Sequence, residues 1–558
     1  MCGRYFFSIA LSVVLIFILV IHTGFGLVYS ESETIPTSLK DYLNESKGPR
    51  HVWTGCEQIQ VKQEIVDFYV RRDWQPVWVS DRGSLEVARE LVAAVGKSEL
   101  HGLFPGDYHH RCLAGWMNAL EKDKNLRFSA WNLKMMELLF SLAFLRYGNH
   151  LANGKVDPAS IYSRWAAERK NDKKEKVFEF LASIDTPQDV RDAFKSLTPS
   201  SHGYLASLEE VGQLREFIAS GGWPVIPTGE NLRKGDDSYR VPLLVNRLSL
   251  EGDLSGKDND NQSHFFDAKL EKGVIQFQKR HGLVQDGVVG QQTLAALNRS
   301  PEERLKTVIA NMERWRWLPQ DLGKRHIIVN TAGFELKAYH YGQRVLDMAV
   351  IVGDEKTKTP MFSRNMDYLE INPSWNVPPG VLKKRILPKI KKDPDYLTEN
   401  DFELLSGWSA NSTIVDPATI DWSYITADNF PGRLRQNPGP LNAMGRIKFM
   451  FPNKYIVYLH DTPKRYLFNK PARAFSNGCV RVEKPIDLAL FILKNDTSWD
   501  RTRIEQKIES GETTIVQVRD QVAVHLLYLT FWIDPEGKAN YREDIYGLDE
   551  LLWEALRL

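Results

Sequence analysis

Near residue 325 the hydrophobic periodicity of this chain changes from helical to alternating, and that change limits the folds open to it. Before it, apolar residues recur at helical spacing over Glu57–Tyr69, Ser84–Val95, Trp131–Tyr147, Pro187–Leu197 and Phe266–His281. The last of these carries Leu270, Val274, Phe277 and nearby Ile275 toward one face. Pro301–Trp315 reads as a helix opened by Pro301 behind a Ser300 cap. After it, His326–Val329, Phe334–Tyr339, Arg344–Val352, Asp367–Ile371 and Tyr455–Leu459 are short β-branched and aromatic runs separated by Gly, Asn or Asp. Such runs read as strands of an antiparallel sheet. The expected class is multidomain α+β, with an antiparallel β-sandwich in the later part. At 558 residues the chain is longer than one core normally serves, and about three domains are expected.

The apolar run Tyr5–Ile21 after Arg4 reads as a secretory signal or a short membrane anchor, and either implies export. Val28 and Ser30 are small enough for a cleavage site before Glu31. The expected organisation is then signal or anchor at 1–30, linker at 31–50, helical domain at 51–235 and a three-helix unit at 236–300. A connecting helix follows at 301–324, a strand-rich domain at 325–520 and a C-terminal extension at 521–558. Between Gly380 and Asn437 an insertion interrupts the strands, basic at Lys383, Lys384, Arg385, Lys389, Lys391 and Lys392 and then acidic and aromatic. A structureless loop of that length is improbable, so the 380–437 segment reads as a lid or small subdomain, against the alternative of an inert surface excursion. Val522–Trp532 reads as a buried strand and Leu548–Leu558 as a closing helix.

A formal net charge of +1, without a long run of like charge, argues against a nucleic-acid partner. His109 and His110 lack the further ligands of a metal site, and Gly287 and Gly290 lack the Lys-Ser/Thr of a phosphate loop, so no metal and no cofactor is expected. Trp74 and Trp78 read as core anchors rather than ligand platforms.

The stretch Tyr458–Arg481 brings one histidine, His460, and one cysteine, Cys479, into a short window that ends A-F-S-N-G-C-V-R. A thiol needs a base to act as a nucleophile near neutral pH, and Gly478 before it lets backbone N–H groups approach an acyl oxygen. Taken singly, a cysteine beside a valine reads as a small buried hydrophobe and a histidine as a satisfied core residue.

Together these residues resemble the signature of L,D-transpeptidases of the YkuD type, a histidine followed by an S-x-G-C-x-R turn. The resemblance covers nearly all of Arg325–Arg519, with V-G-D-E-K-T-K-T-P (Val352–Pro360) and N-P-S-W-N-V-P-P (Asn372–Pro379) as further landmarks. It implies that Cys479 is the nucleophile and His460 its base. Asn477 stands where many members have a second histidine, so no catalytic role is carried to it. Gly102–His109 resembles the helical scaffold domain of large Gram-negative members, and 236–300 resembles a three-helix peptidoglycan-binding module. In such members an insertion at 380–437 caps the active site.

The implied reaction is thiolate attack by Cys479 on the third residue of a peptidoglycan tetrapeptide stem, release of D-alanine, and resolution of the thioester by a second stem's side-chain amine. Tyr458 is placed to join the N–H groups of Gly478 and Cys479 in an oxyanion hole, and Ser476 to hydrogen-bond within the turn or support the base. Arg481 pairs either with a substrate carboxylate or structurally with Glu483 or another acid. Peptidoglycan stems, carbapenem-type inhibitors and, if the N-terminus is retained, the inner membrane are the partners so implied, with a periplasmic location. A secreted cysteine peptidase and a non-catalytic wall-binding protein remain as alternatives; an active-site serine is disfavoured because no S-x-x-K occurs. If the chain is exported, Cys56 and Cys112 either pair, leaving Cys479 as the free thiol, or both stay unpaired.

Overall fold

A computed structural model describes residues 35–44, 50–79, 85–122, 130–162, 172–254, 263–319, 321–393, 395–409 and 411–558. The N-terminal apolar run and the polar run at Lys257–Gln262 lie outside the described residues. Among those described, no helix is long and apolar enough to cross a membrane. The chain divides into two compact units, one drawn from residues up to Gly96 with Pro105–Arg146 and Phe178–Asp192, the other from Lys97–Phe104, Tyr147–Val177 and Ala193–Leu558.

In the first unit two expectations are corrected. Ile35–Asn44 is a helix inside the expected linker. Leu39 and Leu43, four residues apart, are buried and give it an apolar stripe. The segment from Glu57 does not start a helix. Gln58–Val61 alternates exposed glutamines with buried Ile59 and Val61, a period of two, and pairs antiparallel with Arg50–Trp53. The helix begins only at Gln63 and ends at Arg71. Glu86–Gly96 and Pro187–Leu197 are helical as read. Trp78 is fully buried, its indole donating to Ser141 Oγ at 2.9 Å. The N–H groups of Val77 and Trp78 donate to buried Glu137. Cys56 and Cys112 form a disulfide with Cα atoms 5.8 Å apart. His109 Nδ1 lies 2.8 Å from Glu57 Oε1.

In the second unit, helices Val241–Leu250, Ala268–Arg280 and Gln291–Leu297 enclose their own apolar cluster, including Leu244, Leu248, Val274 and Phe277. The turn between the last two is held by the Gly287 N–H donating to Gln278 Oε1 at 2.9 Å. Helix Pro301–Arg316 opens with a capping box, Ser300 and Glu303 each binding the other's backbone N–H.

The strand-rich region is one sheet of eleven strands: β1 Arg325–Asn330, β2 Glu335–His340, β3 Gln343–Gly353, β4 Phe362–Asn365, β5 Tyr368–Ile371, β6 Ile447–Met450, β7 Leu459–His460, β8 Ala474–Ser476, β9 Val480–Val482, β10 Thr514–Gln517 and β11 Ala523–Leu527. Their order is β10-β5-β6-β7-β9-β3-β2-β1-β11-β4, with β8 added beside β3. Both ends deliver side chains to one cluster, Val516 from β10 and Phe362 from β4, so the sheet curls around a single core. The antiparallel sandwich is thereby corrected to a mixed, curled sheet: β7·β9, β8·β3 and β11·β1 run parallel. Parallel neighbours need crossover connections, and the loop from Asp461 to Gly478 is one of them.

Of Tyr455–Leu459, Tyr455 is in a turn, the next three residues are irregular, and only Leu459 belongs to a strand, β7. Val522–Trp532 is broken into β11 and a short strand Phe531–Ile533. The insertion has a core including Leu382, Ile386, Ile390, Leu404, Trp422 and Leu434, and its strands Phe402–Leu405, Ile414–Val415 and Arg433–Gln436 form a four-stranded sheet with Trp375–Asn376, which precedes it. Leu548–Arg557 closes the chain as a helix.

Candidate active site

The turn Ser476–Cys479 lies between β8 and β9, and the side chain of Ser476 shapes it. Its Oγ accepts the Gly478 N–H at 3.0 Å and donates to the Cys479 carbonyl at 2.5 Å. Gly478 has φ +115°, a backbone state that side chains resist. The turn also rests on the V-G-D turn that ends β3. A Cβ on Gly353 would meet the Thr357 carbonyl at 2.0 Å and the Gly478 Cα at 3.1 Å, so glycine is required for this contact. Asn477 is exposed and makes no hydrogen bond among the described residues.

Parallel pairing of β7 with β9 sets Leu459 against Val480 and His460 against Arg481. Cys479 therefore falls opposite Tyr458, and Tyr458, His460, Cys479 and Arg481 share one face. The half-buried thiol lies beside Tyr458, whose hydroxyl and N–H favour its charged form, and its Sγ is 3.9 Å from the Ile456 carbonyl. Burial raises the Cys479 pKa, while Tyr458, Lys448 and Arg481 oppose that shift without reversing it. Tyr458 is itself pushed far up by burial and by the neighbouring thiol, so its phenol stays a donor.

His460 is fully buried, and its Nδ1–H donates to the Asp461 carbonyl at 2.6 Å. Burial first, then the Arg481 charge, lowers its pKa to about 3, against the pull of the Asp461 and Met444 carbonyls. The ring is thus neutral near pH 7. It stands one diagonal from Cys479 and is not hydrogen-bonded to Sγ. The Gly478 N–H expected in an oxyanion hole is taken by Ser476.

Arg481 is half-buried, and its Nε is enclosed without a hydrogen-bond partner. Glu483 instead accepts the Ala349 N–H at 3.0 Å. No carboxylate among the described residues pairs with Arg481, and Arg385 of the insertion adds a second positive charge near it.

Residues 324–516 match the family described as "L,D-transpeptidase catalytic domain", with 63–210 matching "Scaffold domain" and 238–297 "Putative peptidoglycan binding domain". The chain carries an L,D-transpeptidase catalytic domain. A curated relative from Haemophilus influenzae, "Putative L,D-transpeptidase", is 38% identical over 253 residues, 44% of this chain and 50% of that protein. The chain thus spans about half the length of that relative. A solved L,D-transpeptidase from Xylanimonas cellulosilytica aligns with 54% of this chain and 99% of its own at 16% identity, with a TM-score of 0.17, too low to inform the fold.

Within the transpeptidase domain, three contributors to the site escape a reading of the motif. Lys448 on β6 pairs with His460 in register and sets its Nζ 4.5 Å from the Tyr458 ring centre. Ile456 turns its carbonyl toward the sulfur from φ +56°, unusual for a β-branched residue. Thr359 donates to the Gly478 carbonyl at 2.9 Å. Thr359 belongs to the V-G-D-E-K-T-K-T-P landmark, so a signal existed for it; Lys448 and Ile456 carry none beyond their position in space.

Proposed function

We propose that this chain is an exported L,D-transpeptidase that forms peptidoglycan cross-links through a thioester on Cys479. The observation that carries this reading is the shared face of Tyr458, His460, Cys479 and Arg481 across β7 and β9, inside the transpeptidase domain. As Sγ bonds to the carbonyl carbon of the third stem residue, the thiol proton passes to His460. The oxyanion that forms is met by the Cys479 N–H and the Tyr458 hydroxyl. When the C–N bond to the terminal D-alanine breaks, its amine takes the proton from His460. The acceptor amine then bonds to the same carbon, the C–S bond breaks, and the proton lost from that amine returns to sulfur by way of His460.

Because both groups are neutral at rest, proton transfer belongs to the bond-making step, and the imidazole has to close on the reacting atoms when substrate binds. The unpaired Arg481 suits a free carboxylate on the stem. The insertion, with its own core and Arg385 turned toward the site, suits a cap over the donor. The peptidoglycan-binding domain suits the same polymer.

Intact-protein mass spectrometry tests the reading. A carbapenem is expected to leave one adduct on the peptide containing Ser476–Arg481, and stem peptides with an added acceptor amine are expected to yield cross-linked product. Cleaved stems without cross-links in the presence of acceptor favour a peptidase. Neither adduct nor product from folded protein overturns both enzymatic readings.

A further inference from the structure

The matched transpeptidase domain ends at residue 516, yet the turn that holds Cys479 is braced from beyond it. Tyr546, buried in the C-terminal extension, donates its hydroxyl to the Gly353 carbonyl at 2.7 Å and accepts the Thr359 N–H at 3.2 Å. Thr359 Oγ1 accepts the Gly353 N–H at 2.9 Å and donates to the Gly478 carbonyl at 2.9 Å. One phenol therefore ties together the two backbone positions on which the Ser476–Cys479 turn rests. Tyr546 is fixed in its turn: its N–H donates to the Tyr528 hydroxyl at 3.0 Å, the two rings stack at 5.1 Å, and Lys358 Nζ donates to its carbonyl.

We infer that Tyr546 is a positioning residue for the reaction, acting through Gly353 and Thr359 to hold the Cys479 N–H and Sγ in the geometry that acyl transfer requires. The inference rests on Cys479 being the nucleophile. Its physical basis is that donors aimed at a developing oxyanion lose effect steeply with small displacements, and a turn hung from hydrogen bonds drifts when its anchor is cut. Tyr546 touches neither sulfur nor imidazole, so its loss leaves their protonation unchanged.

The test uses the full chain and Tyr546→Phe, which keeps the ring stacked on Tyr528. Hydrogen exchange followed by mass spectrometry is expected to run about tenfold faster in the peptide spanning 474–482, with peptides of the helix Ala130–Asn153 unchanged. The maximal carbapenem acylation rate is expected to fall about tenfold, with the half-saturating concentration and the pH profile at wild-type values. Thr359→Val is expected to give the same fall, the double variant no deeper one, and Thr359→Ser wild-type behaviour. Unchanged exchange overturns the inference, and so does faster exchange with unchanged acylation. If the wild type is not acylated at all, the transpeptidase reading fails, while the exchange measurement still decides whether Tyr546 holds the turn.

Discussion

Cys479 and His460 are both held neutral by burial, and this fixes how the reaction should respond to pH. The Cys479 pKa is raised by burial, so the thiol stays protonated through the neutral range. The His460 pKa is lowered to about 3, so imidazole protonation removes no base until far below neutrality. With the neutral pair as the reactive form and proton transfer in the bond-making step, carbapenem acylation should hold level from pH 6 to pH 8, with no acid limb near 6.5. A plateau with a limb at 6–7 would show an ion pair at rest instead. Cys479→Ala should abolish the adduct, and His460→Ala should slow its formation by about 10²-fold or more. Arg481→Gln should raise the half-saturating concentration of a stem peptide bearing a free carboxylate, by roughly 10-fold, while alkylation of Cys479 by a neutral reagent changes little. The motif made these three residues legible because they lie on neighbouring strands joined by one loop. Lys448 and Tyr546 reach the site by register and tertiary approach, for which local spacing carries no signal, whereas Thr359 lies in the Val352–Pro360 landmark.

At the scale of elements, the 380–437 insertion is the segment whose role is open to direct test. Its core and its sheet, completed by Trp375–Asn376 just ahead of it, are distinct from the curled sheet, so a short linker joining its ends removes few contacts of that sheet. The shortened protein should keep its far-ultraviolet spectrum but lose most turnover of stem-peptide donors; unchanged turnover would make the insertion decoration. Short β-branched and aromatic runs located β1, β2, β3 and β5; β2 and β5 alternate in burial, whereas β1 is buried almost throughout and β3 over its second half. They could not distinguish parallel from antiparallel neighbours, because alternation is the same in both and direction depends on the crossover. The hairpin Arg50–Val61 was missed because two buried residues, Ile59 and Val61, also fit the start of a helical stripe continued by Ile65 and Phe68.

In the whole molecule, the Cys56–Cys112 disulfide joins two positions of the first unit that lie 56 residues apart in sequence. Loop-closure entropy puts its contribution at no more than about 4 kcal/mol. Replacing both cysteines by serine should lower the denaturation midpoint of that unit and leave Cys479 chemistry unchanged, as separate calorimetric and acylation measurements can establish. Domain order was legible along the chain because each module carries its own local pattern. The interleaving of the two compact units was not, since a helix such as Ala130–Asn153 reads the same whichever unit its halves join. The brace at Tyr546 also bears on the order of synthesis. Cys479 leaves the ribosome before Tyr546 does, and Tyr546 then has to dock against a turn formed from Gly353, Thr359 and Gly478. A nascent chain thus presents the thiol before Tyr546 can brace its turn, so the proposed acyl transfer should await the docking of Tyr546.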